Sequence, residues 1–436
     1  MLPLLGDTAG YERRLARLLR AFLASGLVFL LGPGSFLGLW NLFAISQRQA
    51  SLAVSPAWLQ AHGHAEVFGW VGSFILGIGF HSLARPGGKR VAMPWAWCCW
   101  ALWTAGVALR WLAGVYAWHW RAALPLAAGL ELAAYCIFRQ SLRGAHRRAP
   151  AAAHTALPRP RQPGWMLLVW VGAFGFLLVL ALNFAAAVWV AIWGQAPVMP
   201  APWDARLVGL MTWAFLVPFV FGFSTRWLPI FAGLRPAPER AARWLAAMVA
   251  AGAAATVLGL ATVAAACWLG LALTALLALG VLRPAAQPAK TQGIHPSFPV
   301  FVRLAYAWLA LAGGLGLWAA LAPAASGAGG AGRHALTVGF IAGMVLTIGP
   351  RVLPAFSGMR TLYSPRLMLG ALLLLEIGCG LRVLGEVLAY PGWWSVAWRW
   401  LPLSASLEVG AFTLFAYNLA RTLLRRPEHL RRRSAS

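Results

Sequence analysis

Apolar runs of about 20 residues recur along the whole chain, each long enough to cross a bilayer as an α-helix. Between them lie short stretches where Pro, Gly and basic residues gather. In hydrocarbon every backbone N–H and C=O must find its partner inside the segment, so spanning runs of this length are helical. The pattern places twelve spans at roughly 21–45, 62–84, 93–114, 116–138, 164–193, 205–230, 243–261, 263–282, 301–322, 334–356, 367–389 and 398–420. The expected fold is an all-α polytopic membrane protein with about twelve transmembrane helices.

The spans repeat. Residues 64–83 and 334–353 share His64/His334, Ala65/Ala335, Gly69/Gly339, Leu76/Leu346, Ile78/Ile348, Gly79/Gly349 and Leu83/Leu353 without a gap. Residues 226–233 and 351–358 share Arg-x-Leu-Pro-x-Phe-x-Gly, of which segment 81–88 keeps only the Leu and the last Gly. The copies fall on spans 2, 6 and 10, so the unit is four helices long, with pseudo-repeats at about 11–138, 164–282 and 299–420. An even number of helices per unit keeps every copy in the same orientation, which predicts three parallel four-helix repeats. The middle copy has Gly209 where the others have His64 and His334. The remaining segments are a basic Pro/Ala/Arg loop at 139–163, a similar stretch at 283–299, a Gly/Ala-rich stretch at 323–332 that reads as a flexible loop, and a tail at 421–436. The whole of 1–436 reads as a single integral membrane domain.

Composition agrees: the chain is 61% hydrophobic and 11% charged. Its net charge of +26 would suggest nucleic acid in a soluble protein. Here the basic residues fall almost entirely on one side of the predicted membrane, as Arg13, Arg14, Arg17 and Arg20, Arg85, Lys89 and Arg90, the 139–161 cluster and the Arg-rich tail. By the positive-inside rule both termini are cytoplasmic, and no nucleic-acid site is implied. Residues 11–31 resemble a signal peptide, but the run continues to about residue 45 without a clear cleavage site, so it reads as a retained first helix. The five cysteines lie in apolar spans with no Cys-x-x-Cys, and read as packing residues.

Candidate chemistry centres on histidine. His62, His64 and Glu66 open span 2, and His334 opens span 10 at the same depth on the outer side. Four residues apart, His62 and Glu66 share a helix face, while His64 points roughly the other way. Two imidazoles on different helices at one depth can clamp a haem from both faces. The competing reading makes these histidines interfacial residues capping helix ends. His119, beside Trp118 and Trp120, reads as part of an aromatic belt, and His81 as a polar residue at the cytoplasmic edge. Arg110, Arg206, Arg333, Arg382 and Arg399 lie on the outer half against the general bias, where an anionic group such as a haem propionate would meet them. Arg382 and Glu386 have the spacing of an ordinary helix pair. Glu131, Glu376 and Glu408 lie inside spans, where they can relay protons or bond a neighbouring helix. His146, His154, His295 and His429 read as loop and tail residues. There is no Walker loop, dinucleotide fingerprint, zincin motif or nucleophile elbow.

Twelve helices in three arcs, with histidines at the outer ends of spans 2 and 10, resemble subunit I of the haem–copper oxidases, where those spans supply the low-spin haem ligands. The chain departs from that pattern by having no histidine on spans 6 and 7 and only His334 on span 10, so an oxygen- or nitric-oxide-reducing binuclear centre is not expected. The chain is more similar to the NnrS family, through His62, His64, Phe68 and Gly69 near the second span and the Arg-x-Leu-Pro segment after span 10. That resemblance implies a bacterial inner-membrane protein carrying haem b, with copper as a further candidate, linked to nitric oxide, nitrosative stress or respiratory electron transfer. From the placement of the residues themselves, His64 and His334 are the candidate haem ligands, Arg333 and Arg399 the candidates near the cofactor, and His62, His64, Glu66 and His334 the candidate metal-ligand set. The lipid bilayer is the expected partner, with respiratory-chain components or nitric oxide beside it. Whether the protein is an enzyme stays open. The alternatives are a transporter built from parallel repeats, or a non-catalytic partner of a respiratory oxidase or reductase.

Overall fold

The computed structural model describes residues 4–50, 52–83, 90–146, 163–322, 326–356 and 361–425. Among the described residues all regular structure is helical. The helices follow one another as α1 (4–48), α2 (56–83), α3 (Met93–Tyr116), α4 (Trp120–His146), α5 (Gly164–Trp193), α6 (201–231), α7 (Glu239–Leu258), α8 (Ala261–Leu279), α9 (Phe298–Leu321), α10 (326–356), α11 (Pro365–Ala389) and α12 (Trp400–Leu423). Ten of them are long and apolar enough to cross a membrane, which makes the chain a multi-pass membrane protein; α2 and α12 are not among the ten.

Helix starts differ from the expected ones. α1 begins at Leu4 rather than near residue 21. α2 and α10 begin at Pro56 and Ser326, so His64 and His334 each stand eight residues inside their helix, roughly 12 Å from its start at 1.5 Å per residue. Gly209 stands equally deep in α6, which starts at Ala201. Neither histidine caps a helix end. The 323–332 stretch, expected as a loop, is helical from Ser326 onward. Its glycines let the helix pack closely. A Cβ on Gly332 would lie 3.3 Å from Leu315 of α9, and Cβ atoms on Gly327 and Gly330 would collide with Glu386 of α11. In a bilayer there is no hydrophobic drive between helices, so such small residues make close packing possible.

A π-helical segment comes directly after each of these three positions: Ala65–Gly72 after His64, Leu210–Leu216 after Gly209, and Ala335–Ala342 after His334. A fourth, Leu30–Phe36, surrounds Pro33 in α1, where proline removes a helix donor. π turns are rare and tend to be kept at functional sites.

Two compact units are formed, one by the described residues of 1–38, 55–160 and 180–200, the other by those of 39–54, 161–179 and 201–436. In the first, α2 carries the close contacts. A Cβ would meet Phe29 from Gly69, Trp103 from Gly72 and Phe22 from Gly77, each at 2.7 Å. Trp103 is fully buried and donates from Nε1 to Ser73 Oγ at 3.1 Å. Cys99 donates to the Ala134 carbonyl at 3.2 Å, and all five cysteines are free thiols.

In the second unit, Phe176 stacks on Phe215 with centroids 3.9 Å apart, and Gly339 faces Trp308 of α9. The start of α11 is fixed by Asn418 of α12. Its Oδ1 accepts from Ser364 N at 3.0 Å and its Nδ2 donates to Ser364 O at 2.8 Å. The Ser364 hydroxyl in turn caps Leu367 N at 3.3 Å.

A Cβ at Gly175 would run into the Ala214 carbonyl, a backbone atom that cannot rotate away, whereas one at Gly270 meets nothing within 4 Å. Gly175→Val is therefore expected to lower stability by about 1–3 kcal/mol, and Gly270→Ala to leave it level or slightly raised. Thermal unfolding midpoints in detergent check both.

Candidate functional site

The first unit separates its two histidines as their spacing predicts. His62 Nδ1 donates to the Gly34 carbonyl at 3.0 Å, and Glu66 Oε1 accepts from Ser35 Oγ at 3.0 Å. Both thus face the π segment of α1. His64 points the other way, into α4, and donates from Nε2 to Glu131 Oε1 at 2.7 Å. His64 is 6% exposed and Glu131 fully buried. Away from water such a pair is held far more firmly than at a surface. Gly106 of α3 makes the room: a Cβ there would lie 2.8 Å from Glu131 Cγ. The ring of Phe68 meets the His64 ring edge-on at 4.6 Å.

In the second unit His334 belongs to a different network. Its Nδ1 lies 3.0 Å from the Gly330 carbonyl and 3.2 Å from Glu386 Oε1, and its Nε2 lies 3.3 Å from Arg382 Nη2. A guanidinium only donates, so Nε2 accepts and the ring proton sits on Nδ1. Arg382 also places Nε 2.8 Å from Glu386 Oε1, the i, i+4 ion pair that the spacing predicts. Cβ space at Gly330 is taken by the Glu386 carboxylate.

A local geometry recurs. The Cβ position of Gly106 lies 2.8 Å from Glu131 Cγ, 2.9 Å from Ala127 O and 3.3 Å from Glu131 N; that of Gly378 lies 2.9 Å from Glu408 Cγ, 3.0 Å from Ser404 O and 3.3 Å from Glu408 N. Arg110 and Arg382 each come four residues after their glycine, and both are 6% exposed. At Gly252 the residue four positions on is Thr256 and the packed side chain is Trp268, stacked on Trp213 at 5.5 Å. A Cβ on Gly209 would touch Thr256 Cγ2 at 3.6 Å. Histidine, arginine and glutamate in two places are thus matched by glycine, threonine and tryptophan in a third. Sequence reasoning missed the His64–Glu131 and His334–Glu386 partnerships. The recurring Gly-x-x-x-Arg of 106–110 and 378–382 was the available signal.

Other candidates lie elsewhere. Arg333 and Arg399 are exposed, the latter closing a 3-10 turn ahead of α12. His119 is exposed in the turn between α3 and α4, with φ of 39° and its ring 4.9 Å from Trp118. His81, expected at an edge, is fully buried. Arg206 packs on Gly259, Arg226 lies 4.3 Å over the Trp165 ring, and His295 shares a hydrogen bond with Ser297 at 2.7 Å. His154, His429, most of the 139–163 loop and the end of the tail lie outside the described residues.

The four-residue metal set does not converge. His62 and Glu66 face α1 while His64 faces α4. Among the described residues no three His, Cys, Asp or Glu side chains come together as metal ligands. Haem needs only one imidazole per face, oriented by a partner on its other nitrogen. His64 keeps Nδ1 on the side away from Glu131, and His334 would offer iron its Nε2 in place of the Arg382 guanidinium from which it accepts at 3.3 Å. That donor chemistry fits haem iron and not a copper site built from the set.

Residues 227–420 match a family model described as a domain of unknown function, DUF8744. No curated protein matches the chain.

Truncating one partner of a buried ion pair leaves the other charge uncompensated, at about 3–5 kcal/mol. Glu386→Leu is expected to destabilise by that amount, and adding Arg382→Met to recover a large part of it. Chemical denaturation of the single and double variants measures both.

Proposed function

We propose that the chain is a haem-binding protein of a bacterial inner membrane, with twelve spans in three parallel four-helix repeats and both termini in the cytoplasm. Its haem is of the b type, and His64 and His334 are its candidate iron ligands. One observation carries the reading: histidines at two matched positions, each eight residues into its helix and each followed by a π segment, are both held by a buried carboxylate. Ligating histidines ordinarily carry such a partner, which fixes the ring and raises its basicity. The π segments after His64, Gly209 and His334 support the threefold repeat. The bias of basic residues supports the orientation.

When bound between two histidines, haem would supply one-electron chemistry. The chain's own residues do the rest. Glu131 orients the His64 ring, and Gly330 with Glu386 orients that of His334. The exposed guanidiniums of Arg333 and Arg399 suit the carboxylates of a haem edge. Phe68 shields His64 from water. The link to nitric oxide, nitrosative stress or respiratory electron transfer rests on the NnrS resemblance alone.

The protein purified from membranes is expected to show a b-type haem spectrum with bound iron. His64→Ala and His334→Ala should each lose most of it, whereas His119→Ala keeps it. A colourless, iron-free preparation, or full haem retention in both histidine variants, contradicts the proposal.

A further inference from the structure

We propose that Glu376 and Glu408, on the α9 and α12 sides of α11, are proton-binding groups that stand as neutral carboxylic acids at neutral pH. Whether or not haem is bound, the acidic groups around α11 outnumber the buried cations. Three glutamates lie there, Glu376, Glu386 and Glu408, with one buried guanidinium, Arg382. Arg382 is committed to Glu386 at 2.8 Å, and the same Glu386 oxygen holds His334 Nδ1 at 3.2 Å. Among the described residues no cation is left for the other two.

The partners of Glu376 and Glu408 agree. Glu376 Oε2 accepts from Trp308 Nε1 of α9 at 2.7 Å, an uncharged donor, and its Oε1 is buried without a partner. Glu408 Oε1 is likewise buried without a partner, and its stem lies against Gly378. The titratable and charged groups facing Glu408 are Arg382, Glu386 and Cys379 of α11, of which the first two already neutralise each other. Those facing Glu376 are the Trp308 donor and the Cys379 thiol. An ionised carboxylate in an apolar span without a cation is costly, and taking up one proton removes that cost. A metal ion is the other way to balance charge, and among the described residues no three His, Cys, Asp or Glu side chains gather to hold one.

Glu131 supplies the contrast. It occupies the same kind of place, seated on Gly106 as Glu408 is on Gly378, yet it is bonded to His64 at 2.7 Å. In the second unit the histidine has turned to Glu386 instead, which leaves Glu408 without a counter-charge. Two acids able to take up and release protons inside apolar helices equip the protein to move or store protons there, whatever else it binds.

Infrared spectroscopy of the full-length protein in lipid nanodiscs tests this. At neutral pH the carbonyl stretch of protonated carboxylic acid should be present and should shift in heavy water. Glu376→Gln and Glu408→Gln should each weaken it, and the double variant should lose most of it. Glu12→Gln, at an exposed position of α1, should leave it in place. Glutamine replaces a neutral acid by a neutral amide of equal size, so helix content and unfolding midpoint should be kept. Glu376→Asp and Glu408→Asp, which should move the band rather than remove it, cover any failure of the glutamine variants to fold. Absence of the band in the wild-type protein at neutral pH, or an undiminished band in the double variant, overturns the proposal.

Discussion

An ionisable side chain placed among apolar helices needs an opposite charge or a change of protonation, and the helix packing near His64 and His334 is arranged around that need. His64 receives Glu131 at 2.7 Å; Arg382 receives Glu386 at 2.8 Å, and His334 shares it. These contacts hold only because the helices approach closely, and they do so where a glycine stands. Gly106 admits the stem of Glu131, Gly378 that of Glu408, and Gly330 the carboxylate of Glu386. Electrostatics sets which side chains must meet, and glycine sets where the backbones come near enough for the meeting.

The π segments fit the same scheme. A π turn inserts a residue and rotates the rest of the helix, so each one changes the face presented beyond the histidine. The segments after His64 and His334 run into wholly buried stretches, Phe68–Gly72 and Gly339–Met344. The one after Gly209 is equally buried but carries aromatic and apolar residues against the neutral Trp268. Where the charges are absent, tryptophan stacking fills their volume.

Much of the helical pattern could be read from the chain, because a run of about 20 apolar residues allows little else. The starts of α2 and α10 could not. The Gly/Ala stretch before His334 looks like a loop by composition, and becomes helical because small residues let it pack on neighbours. Pro56–Gln60 lies ahead of the expected span and is helical with proline at its first position. The opposed directions of His62 and His64, and the Arg382–Glu386 pair, came directly from helical spacing. The partners Glu131 and Glu386 did not. Each lies far away in sequence from its histidine, and a Glu in an apolar span looks the same whether it bonds a helix, a histidine or a proton.

The central claim is that a buried carboxylate holds each matched histidine by one ring nitrogen, and His64 offers the most direct measurement. Nitrogen-15 NMR of histidine-labelled protein in lipid, with His64 identified by its loss in His64→Gln, reports which nitrogen carries the proton and what it meets. Nε2 is expected to be protonated, with its proton shifted strongly by a carboxylate acceptor, and Glu131→Gln should abolish that shift. An unprotonated Nε2, or a His64 signal indifferent to Glu131→Gln, would contradict it.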